Sequence, residues 1–245
     1  MIRDQPPRPA NMLHIVAVNQ GHRPCAETTP VPETLPPERV TALIDEGVAL
    51  IDARGWAEFG VEHVAGSINI AESSSSFEQN IGWLLPSDDR FVLVVADMLQ
   101  ARRAAQRMAF VGLDSRLVGA MPLDTWRETG RPLGRLPQID IGTLHAELGN
   151  GDGTEVIDVR AEDEWQAGRI DAARHCDFRQ LPRLIDELGI PRDRRVAVIC
   201  AGGLRSSIGA SLLARAGWRD VVNVRGGMNA WTRAGLPTVG HGSGG

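Results

Sequence analysis

The stretch Val196-Ala-Val-Ile-Cys200-Ala-Gly-Gly-Leu-Arg205-Ser-Ser combines an apolar run, a short segment with two glycines and a pair of serines. The apolar run from Val196 to Ile199 is typical of a buried strand. Ser206 and Ser207 suit the first turn of a helix, where a hydroxyl group caps an unpaired amide. The stretch therefore predicts a strand, a short loop and a helix, with Cys200 at the carboxyl end of the strand.

The same order of elements occurs twice along the chain. Asp52-Ala-Arg54 recurs as Asp158-Val-Arg160, and Trp126 recurs as Trp231, at offsets of 106 and 105 residues. Short apolar runs alternate with helix-like stretches in each copy, which is typical of a parallel sheet covered by helices. The fold class is therefore α/β, with two tandem domains, each a parallel sheet flanked by helices on both faces.

The positions of proline and glycine along the chain predict where its domains begin and end. We expect an extended arm over residues 1–35, a first domain over 36–133, a second over 138–239 and a flexible tail over 240–245. The segment between the domains, Gly130 to Gln138, holds two prolines and two glycines, which favour a linker.

Composition excludes several classes of function. The chain of 245 residues has a net charge of -5 and no lysine, which argues against nucleic-acid binding, a Schiff base and a Walker A loop. No apolar run is long enough for a membrane span and no secretion signal is recognisable, so a cytoplasmic protein is expected. Cys25, Cys176 and Cys200 are scattered, which disfavours a disulfide framework and a zinc site. No metal or cofactor is expected.

Cys200 is the candidate nucleophile. A thiol reacts as its thiolate, and successive backbone N–H groups that lead into a helix N-terminus stabilise such an anion. Gly202 and Gly203 let the backbone curl without a side chain in the hollow. We expect Arg205, at the far lip of the loop, to pair with an anionic substrate or to hold the loop carbonyls.

Cys200-Ala-Gly-Gly203-Leu-Arg205 resembles the C-x-x-G-x-R loop of the rhodanese family of sulfurtransferases. The resemblance extends over about residues 139–238 and includes Asp158-Val-Arg160, Glu164-Trp165 and Asn223-Val-Arg-Gly226-Gly227. It implies that Cys200 carries a persulfide that is stabilised by the amides of the loop, which are those of Ala201, Gly202, Gly203, Leu204 and Arg205. Ser206, Asp158 and Arg160 would support this loop.

The resemblance also implies the reaction and its partners. The sulfur donor would be thiosulfate or a persulfide such as glutathione persulfide, and the acceptor would be cyanide or a thiol. A persulfide dioxygenase or another sulfur-donor protein is a further candidate partner. One departure from the family pattern is Arg169-Ile-Asp-Ala-Ala173, where relatives often have His-Ile-x-Gly-Ala, at a turn rather than at the site.

The first copy resembles the same family but has lost the reactive loop. Val95 stands where the second copy has Cys200, and Gln100 stands where it has Arg205. This domain is therefore expected to be inactive. The arm, through Pro6-Pro-Arg-Pro-Ala-Asn-Met12, and the segment Phe77-Glu-Gln-Asn-Ile-Gly82-Trp83 resemble the C-terminal part of fusions between a metallo-β-lactamase-type persulfide dioxygenase and rhodanese domains.

Two other functions remain open at this stage. Cysteine-dependent phosphatases and arsenate reductases also place a cysteine and an arginine around an anion loop, but with five residues between them. The loop here has four, Ala201 to Leu204, which favours a single sulfur over a tetrahedral oxyanion. A non-enzymatic sulfur-relay or binding module, supplied by a partner protein, is the second alternative.

Overall fold

The computed structural model describes residues 30–240, together with Met12, Val16 and Gln20. The chain divides into two compact units, the first up to Phe59 with His63–Gly134, and the second Gly60–Glu62 with the residues from Arg135 onward. Within the described part of the chain, no helix combines the length and the apolar character that a membrane crossing requires.

The first unit is built on a parallel sheet. Up to Gly134 the described elements are, in chain order, the helices Pro37–Asp45 (α1), Trp56–Val61 (α2), Phe77–Leu84 (α3), Met98–Ala109 (α4) and Leu123–Glu128 (α5), and the strands Ala49–Asp52 (β1), His63–Val64 (β2), Ile68–Asn69 (β3), Phe91–Val95 (β4), Leu117–Pro122 (β5) and Leu133–Gly134 (β6). Strands β3, β1, β4 and β5 lie side by side in that order and are all parallel. Strands β2 and β6 form a separate antiparallel pair.

The second unit repeats this sheet with one more strand. Its strands are Gln138–Ile139 (β7), Glu155–Asp158 (β8), Ala173–His175 (β9), Val196–Ile199 (β10) and Val221–Val224 (β11), and its helices are Ile141–Asn150 (α6), Glu162–Ala167 (α7), Leu181–Leu184 (α8), Leu204–Arg215 (α9) and Gly227–Arg233 (α10). The strand order β7-β11-β10-β8-β9 is parallel throughout. The first unit has a counterpart of β7 in a single parallel bridge between Thr34 and Ala120.

Helices cover both faces of the second sheet, as the sequence predicts. On one face, Ala197 and Ile199 pack in a cluster with Leu144 of α6 and with Met228 and Trp231 of α10. Side chains alternate along a strand, so Val198 points to the opposite face. There it meets α9 at Gly209, where an added Cβ would lie 3.2 Å from a Val198 methyl carbon. Burial on both faces explains why the strands are continuous apolar runs.

The arm of residues 1–35 lies mostly outside the described residues. Met12 and Val16 are helical rather than extended, and the N–H of Gln20 donates to the carbonyl of Val16 at 3.0 Å. The expected extended conformation therefore does not hold at these positions. The physical reason is that residues 11–20 contain no proline, so nothing interrupts a helical hydrogen bond. Residues 241–245 of the expected tail also lie outside the description.

Candidate active site

Cys200 directly follows the central strand of the second sheet. Strand β10 is paired with β11 on one side and with β8 on the other, so its end is fixed by hydrogen bonds on both sides. The carboxyl ends of parallel strands form the edge where α/β folds place their reactive groups. Cys200 is only 1 % exposed. The sulfur therefore sits at the bottom of the loop that follows rather than on the surface.

Two groups form hydrogen bonds with the sulfur, one in the loop and one on helix α9, and the hydroxyl group is the donor when the sulfur is a thiolate. The backbone N–H of Gly203 donates to Sγ at 3.1 Å, and the hydroxyl oxygen of Ser206 lies 3.3 Å from Sγ. Gly203 has a φ of 118°, a conformation that residues with a side chain rarely adopt. This backbone turn directs the Gly203 amide toward the sulfur, and both groups can stabilise a negative charge there.

The predicted role of Ser206 as a helix cap is wrong. Helix α9 begins at Leu204, one residue before the arginine, and has Gly203 at its N-cap with no side-chain cap. Ser206 is fully buried in the first turn, where its hydroxyl group faces Cys200 rather than an unpaired amide. Ser206 cannot cap α9, because a cap residue must precede the first helical residue, which is Leu204.

Helix α10 holds the loop from behind. The N–H of Met228 donates to the carbonyl of Cys200 at 2.7 Å, and the N–H of Asn229 donates to the carbonyl of Ala201 at 3.0 Å. Gly227 allows this approach, because a Cβ at that position would lie 2.2 Å from the carbonyl oxygen of Cys200. The free amides at the start of α10 thus satisfy the carbonyls of the reactive loop.

Asn223, on the neighbouring strand β11, supports the same loop. Its amide nitrogen donates to the carbonyl of Gly203 at 3.2 Å and to the side-chain oxygen of Gln138 at 2.8 Å. Asn223 is fully buried within an otherwise apolar strand. The side chain therefore helps to hold Gly203 in the conformation that directs its amide to Cys200.

Arg205 does not point freely to solvent, and it does not bind the loop carbonyls as expected. Its guanidinium pairs with the carboxylate of Glu164 at the start of α7, with an Nη2–Oε1 distance of 2.7 Å. The hydrogen bond that Arg205 donates to Glu164 raises the pKa of Arg205 and lowers the pKa of Glu164. Both groups are therefore charged at neutral pH. The sequence prediction left out the carboxylate that competes with an anionic substrate.

Asp158 and Arg160 form a buried ion pair in the turn after β8. The guanidinium of Arg160 binds both carboxylate oxygens of Asp158, with the shortest distance at 2.6 Å, and donates to the carbonyl of Gly168 at 2.7 Å. The first unit has the same arrangement between Arg54 and Asp52, again at 2.6 Å. Because the pair also occurs where no cysteine follows, it stabilises the fold of each unit rather than the sulfur.

Cys176 is a second buried thiol in this unit. Burial raises its pKa to about 11, with a further contribution from the charge of Asp177. The thiol therefore stays protonated at neutral pH, where a nucleophilic role requires the thiolate. Cys200 is the stronger candidate of the two.

In the first unit, side chains form the hydrogen bonds of the loop that is equivalent to the Cys200 loop. Val95 ends strand β4, fully buried. The side chain of Gln100 accepts from the N–H of Ala96 at 2.8 Å and donates to the carbonyl of Ala53 at 3.0 Å. Asp97 caps the following helix by accepting from the N–H of Gln100 at 2.7 Å. The loop in this unit is satisfied internally and contains no nucleophile.

Sequence reasoning missed the roles of Glu164, Asn223 and Gly227. A signal existed for two of them. An asparagine inside the apolar run Val221 to Val224 needs a buried partner, and the pair Gly226-Gly227 before a helix indicates a close backbone approach. Glu164 gave no such signal, because its contact with Arg205 joins residues 41 positions apart.

Three curated relatives illustrate what the chain is similar to. A sulfurtransferase of Allochromatium vinosum is 34 % identical over 102 residues, which cover 42 % of this chain and 94 % of the relative. The thiosulfate sulfurtransferase GlpE of Pseudomonas putida is 35 % identical over 35 % of this chain and 76 % of its own length. A tRNA uridine(34) hydroxylase of Protochlamydia amoebophila is 35 % identical over 30 % of this chain, but the match spans only 25 % of that protein.

The family model described as the rhodanese-like domain matches the chain twice, over residues 36–119 and residues 140–234. The two matches fall on the two repeated parallel sheets, and together they cover well over half of the chain. The first copy, which has Val95 at the end of its strand, and the cysteine-bearing second copy are thus variants of one domain. The chain belongs to the rhodanese-like domain family, of which it carries two copies in tandem.

Proposed function

We propose that this protein is a sulfurtransferase that carries a sulfane sulfur on Cys200. The observation that carries the proposal is the pair of donors at Sγ, the Gly203 amide at 3.1 Å and the Ser206 hydroxyl at 3.3 Å. They lie where the Cys200 thiolate must be stabilised before it reacts and where it forms again when the persulfide gives up its outer sulfur. The relatives with sulfurtransferase names support the same reaction class.

The first half-reaction loads the cysteine. With thiosulfate, the Cys200 thiolate attacks the outer, sulfane sulfur, the S–S bond of thiosulfate breaks, and sulfite leaves with the electron pair. With a persulfide RSSH as donor, the same attack on the outer sulfur releases RS⁻, which takes up the proton. Either route leaves Cys200 as a persulfide and needs no external oxidant or reductant.

The second half-reaction transfers the sulfur from the Cys200 persulfide to an acceptor. A thiolate acceptor or cyanide attacks the outer sulfur of the Cys200 persulfide, the S–S bond to Cys200 breaks, and the cysteine leaves as a thiolate. The product is a new persulfide or thiocyanate. The donors around Sγ stabilise the leaving thiolate, so the same contacts assist both directions of transfer.

Loop size supports this reaction over phosphate transfer. Four residues separate Cys200 and Arg205, and the guanidinium of Arg205 is bound to Glu164. A phosphatase needs its arginine on the tetrahedral oxyanion, and the loop of such enzymes has five intervening residues. The short loop and the engaged arginine favour a single additional sulfur atom.

The test is mass spectrometry of the protein after incubation with thiosulfate, and separately with glutathione persulfide. We expect a gain of one sulfur on Cys200 that cyanide removes. Cys200→Ser should abolish the gain and the transfer of sulfur to cyanide. Cys176→Ala, the matched control at the other described cysteine, should keep both. Sulfur transfer at an unchanged rate by Cys200→Ser, or labelling of Cys176 in its place, contradicts the proposal.

A further inference from the structure

The carboxylate of Glu164 forms an ion pair with the guanidinium of Arg205 through two hydrogen bonds. Both terminal nitrogens of Arg205 contact it, one on each carboxylate oxygen. Glu164 is fixed in turn by the N–H of Ala161, which donates to its Oε2 at 3.3 Å. The two side chains are 28 % and 33 % exposed, so they lie where the site meets water. The Glu164–Arg205 ion pair is therefore fixed and electrically neutral. It lies where the loop opens to solvent, which we call the mouth of the loop.

Arg205 is close enough to Cys200 for its charge to act on the sulfur. The interaction with the Cys200 thiolate contributes to the raised pKa of Arg205, after the larger contribution of Glu164. A donor that approaches Cys200 therefore passes a cation whose charge Glu164 already balances. Negative charge on the donor outside the reacting sulfur is repelled by the Glu164 carboxylate as well as attracted by the Arg205 guanidinium.

The neighbouring charged groups are arranged in the same way. Arg179 is the next cation, and its guanidinium binds the carboxylate of Asp177 with an Nε–Oδ1 distance of 2.9 Å. Repulsion between Arg179 and Arg205 is felt at Arg179, so the two cations lie near one another. Leu204, the first residue of α9, exposes 45 % of its surface to solvent. The mouth thus combines paired charges with an exposed apolar side chain.

We infer that Glu164 is a specificity-determining residue, which acts through Arg205 to disfavour inorganic dianions such as thiosulfate as donors. The inference rests on the proposed function and narrows its substrate class. The favoured donors are organic persulfides whose negative charge lies on the reacting sulfur. Such a donor needs no free cation at the mouth, and its carbon chain can contact Leu204.

Glu164→Gln tests this inference because it keeps the shape of the side chain and removes its charge. We measure the second-order rate constant of Cys200 persulfide formation with thiosulfate and with the persulfide of 2-mercaptoethanol. The variant should raise the thiosulfate constant about tenfold, as expected for one charge-assisted hydrogen bond that becomes available. The constant for the organic persulfide should change less than about twofold, since that donor lacks the second charge.

Asp171→Asn is the matched control, because it removes one negative charge from an exposed position of the same unit. It should leave both rate constants unchanged. An equal effect of the two variants, no effect of Glu164→Gln, or a slower reaction with thiosulfate overturns the inference. Absence of persulfide on wild-type Cys200 with both donors instead contradicts the proposed function, so the two failures are distinguishable.

The wild-type protein provides a second test that needs no variant. A neutral mouth predicts that the thiosulfate rate stays constant or rises between about 20 mM and about 300 mM sodium chloride, as salt screens the carboxylate. A fall of several-fold over this range would show an uncompensated positive charge at the mouth and overturn the inference. Salt should slow the reaction only in Glu164→Gln.

Discussion

The sulfur of Cys200 receives its hydrogen bonds from a backbone amide and a hydroxyl group, in a loop that carries no charged partner on the sulfur itself. Gly203 provides the amide because its left-handed backbone turns the N–H inward, and Ser206 provides the hydroxyl from the first turn of α9. At this scale, reactivity depends on neutral donors held in place, while the charged groups nearby are paired with one another.

Ser206→Ala should slow persulfide formation about tenfold, because a hydrogen bond to a charged group is worth about 1.5–3 kcal/mol. Ser211→Ala is the matched control, since Ser211 is equally buried in α9 and donates to the carbonyl of Ile208 at 2.7 Å. Stopped-flow measurement of the reaction with thiosulfate compares the two variants. Equal rate losses would mean that the Ser206 hydroxyl serves the helix and not the sulfur.

The N-terminus of α10 is the element that fixes the loop. Two of its amides bind the carbonyls of Cys200 and Ala201, and Gly227 removes the side chain that would separate them. Asn223, four residues before the start of this helix, adds a hydrogen bond to Gly203. The segment from β11 to α10 therefore acts as one support for the carboxyl end of β10.

Gly227→Ala should destabilise the second unit by about 3 kcal/mol or more, because a Cβ would clash with the backbone of Cys200 in addition to straining a positive φ. Gly235→Ala isolates the strain, since Gly235 has a φ of 67° with open space around its Cβ position. That control should cost about 1 kcal/mol. Urea unfolding followed by tryptophan fluorescence measures both, and a difference below about 1 kcal/mol would rule out the close contact.

On the scale of the whole molecule, one domain occurs twice, and the second copy has Cys200 where the first has Val95. Both copies keep the parallel sheet and the Asp-x-Arg ion pair. The first copy replaces the cysteine by Val95 and closes its loop with Gln100. The domain limits 36–133 and 138–239 and the kinship of the arm with dioxygenase fusions stay predictions.

Transplanting the two side chains should not restore activity to the first unit. Val95→Cys with Gln100→Arg, in a Cys200→Ser background, should form persulfide at less than about 1 % of the wild-type rate, because no left-handed glycine directs an amide to the new sulfur. Mass spectrometry after thiosulfate treatment measures the gain on residue 95. A rate within tenfold of wild type would show that the cysteine and the arginine suffice.

The architecture could be predicted from local pattern alone. Apolar runs such as Val196 to Ile199 are the signature of strands buried on both faces, and the repeat of Asp-x-Arg at a constant offset revealed the duplication. Chain order also determined that Cys200 follows a buried strand and precedes a helix, whereas the central position of that strand came from the structure. Those features depend on neighbours along the chain, so the sequence contains them directly.

The partners of the site residues were decided only by the tertiary structure. Ser206 was predicted as a cap and faces the sulfur, because the helix already starts at Leu204, two residues before it. Arg205 was predicted to pair with an anionic substrate or to hold the loop carbonyls, and it is bound by Glu164, which lies 41 residues away in the chain. The sequence by itself determined the fold and the duplication, and it identified Cys200 as the candidate nucleophile. The folded chain decided which groups surround that cysteine, because contacts between distant segments depend on packing that no local pattern records.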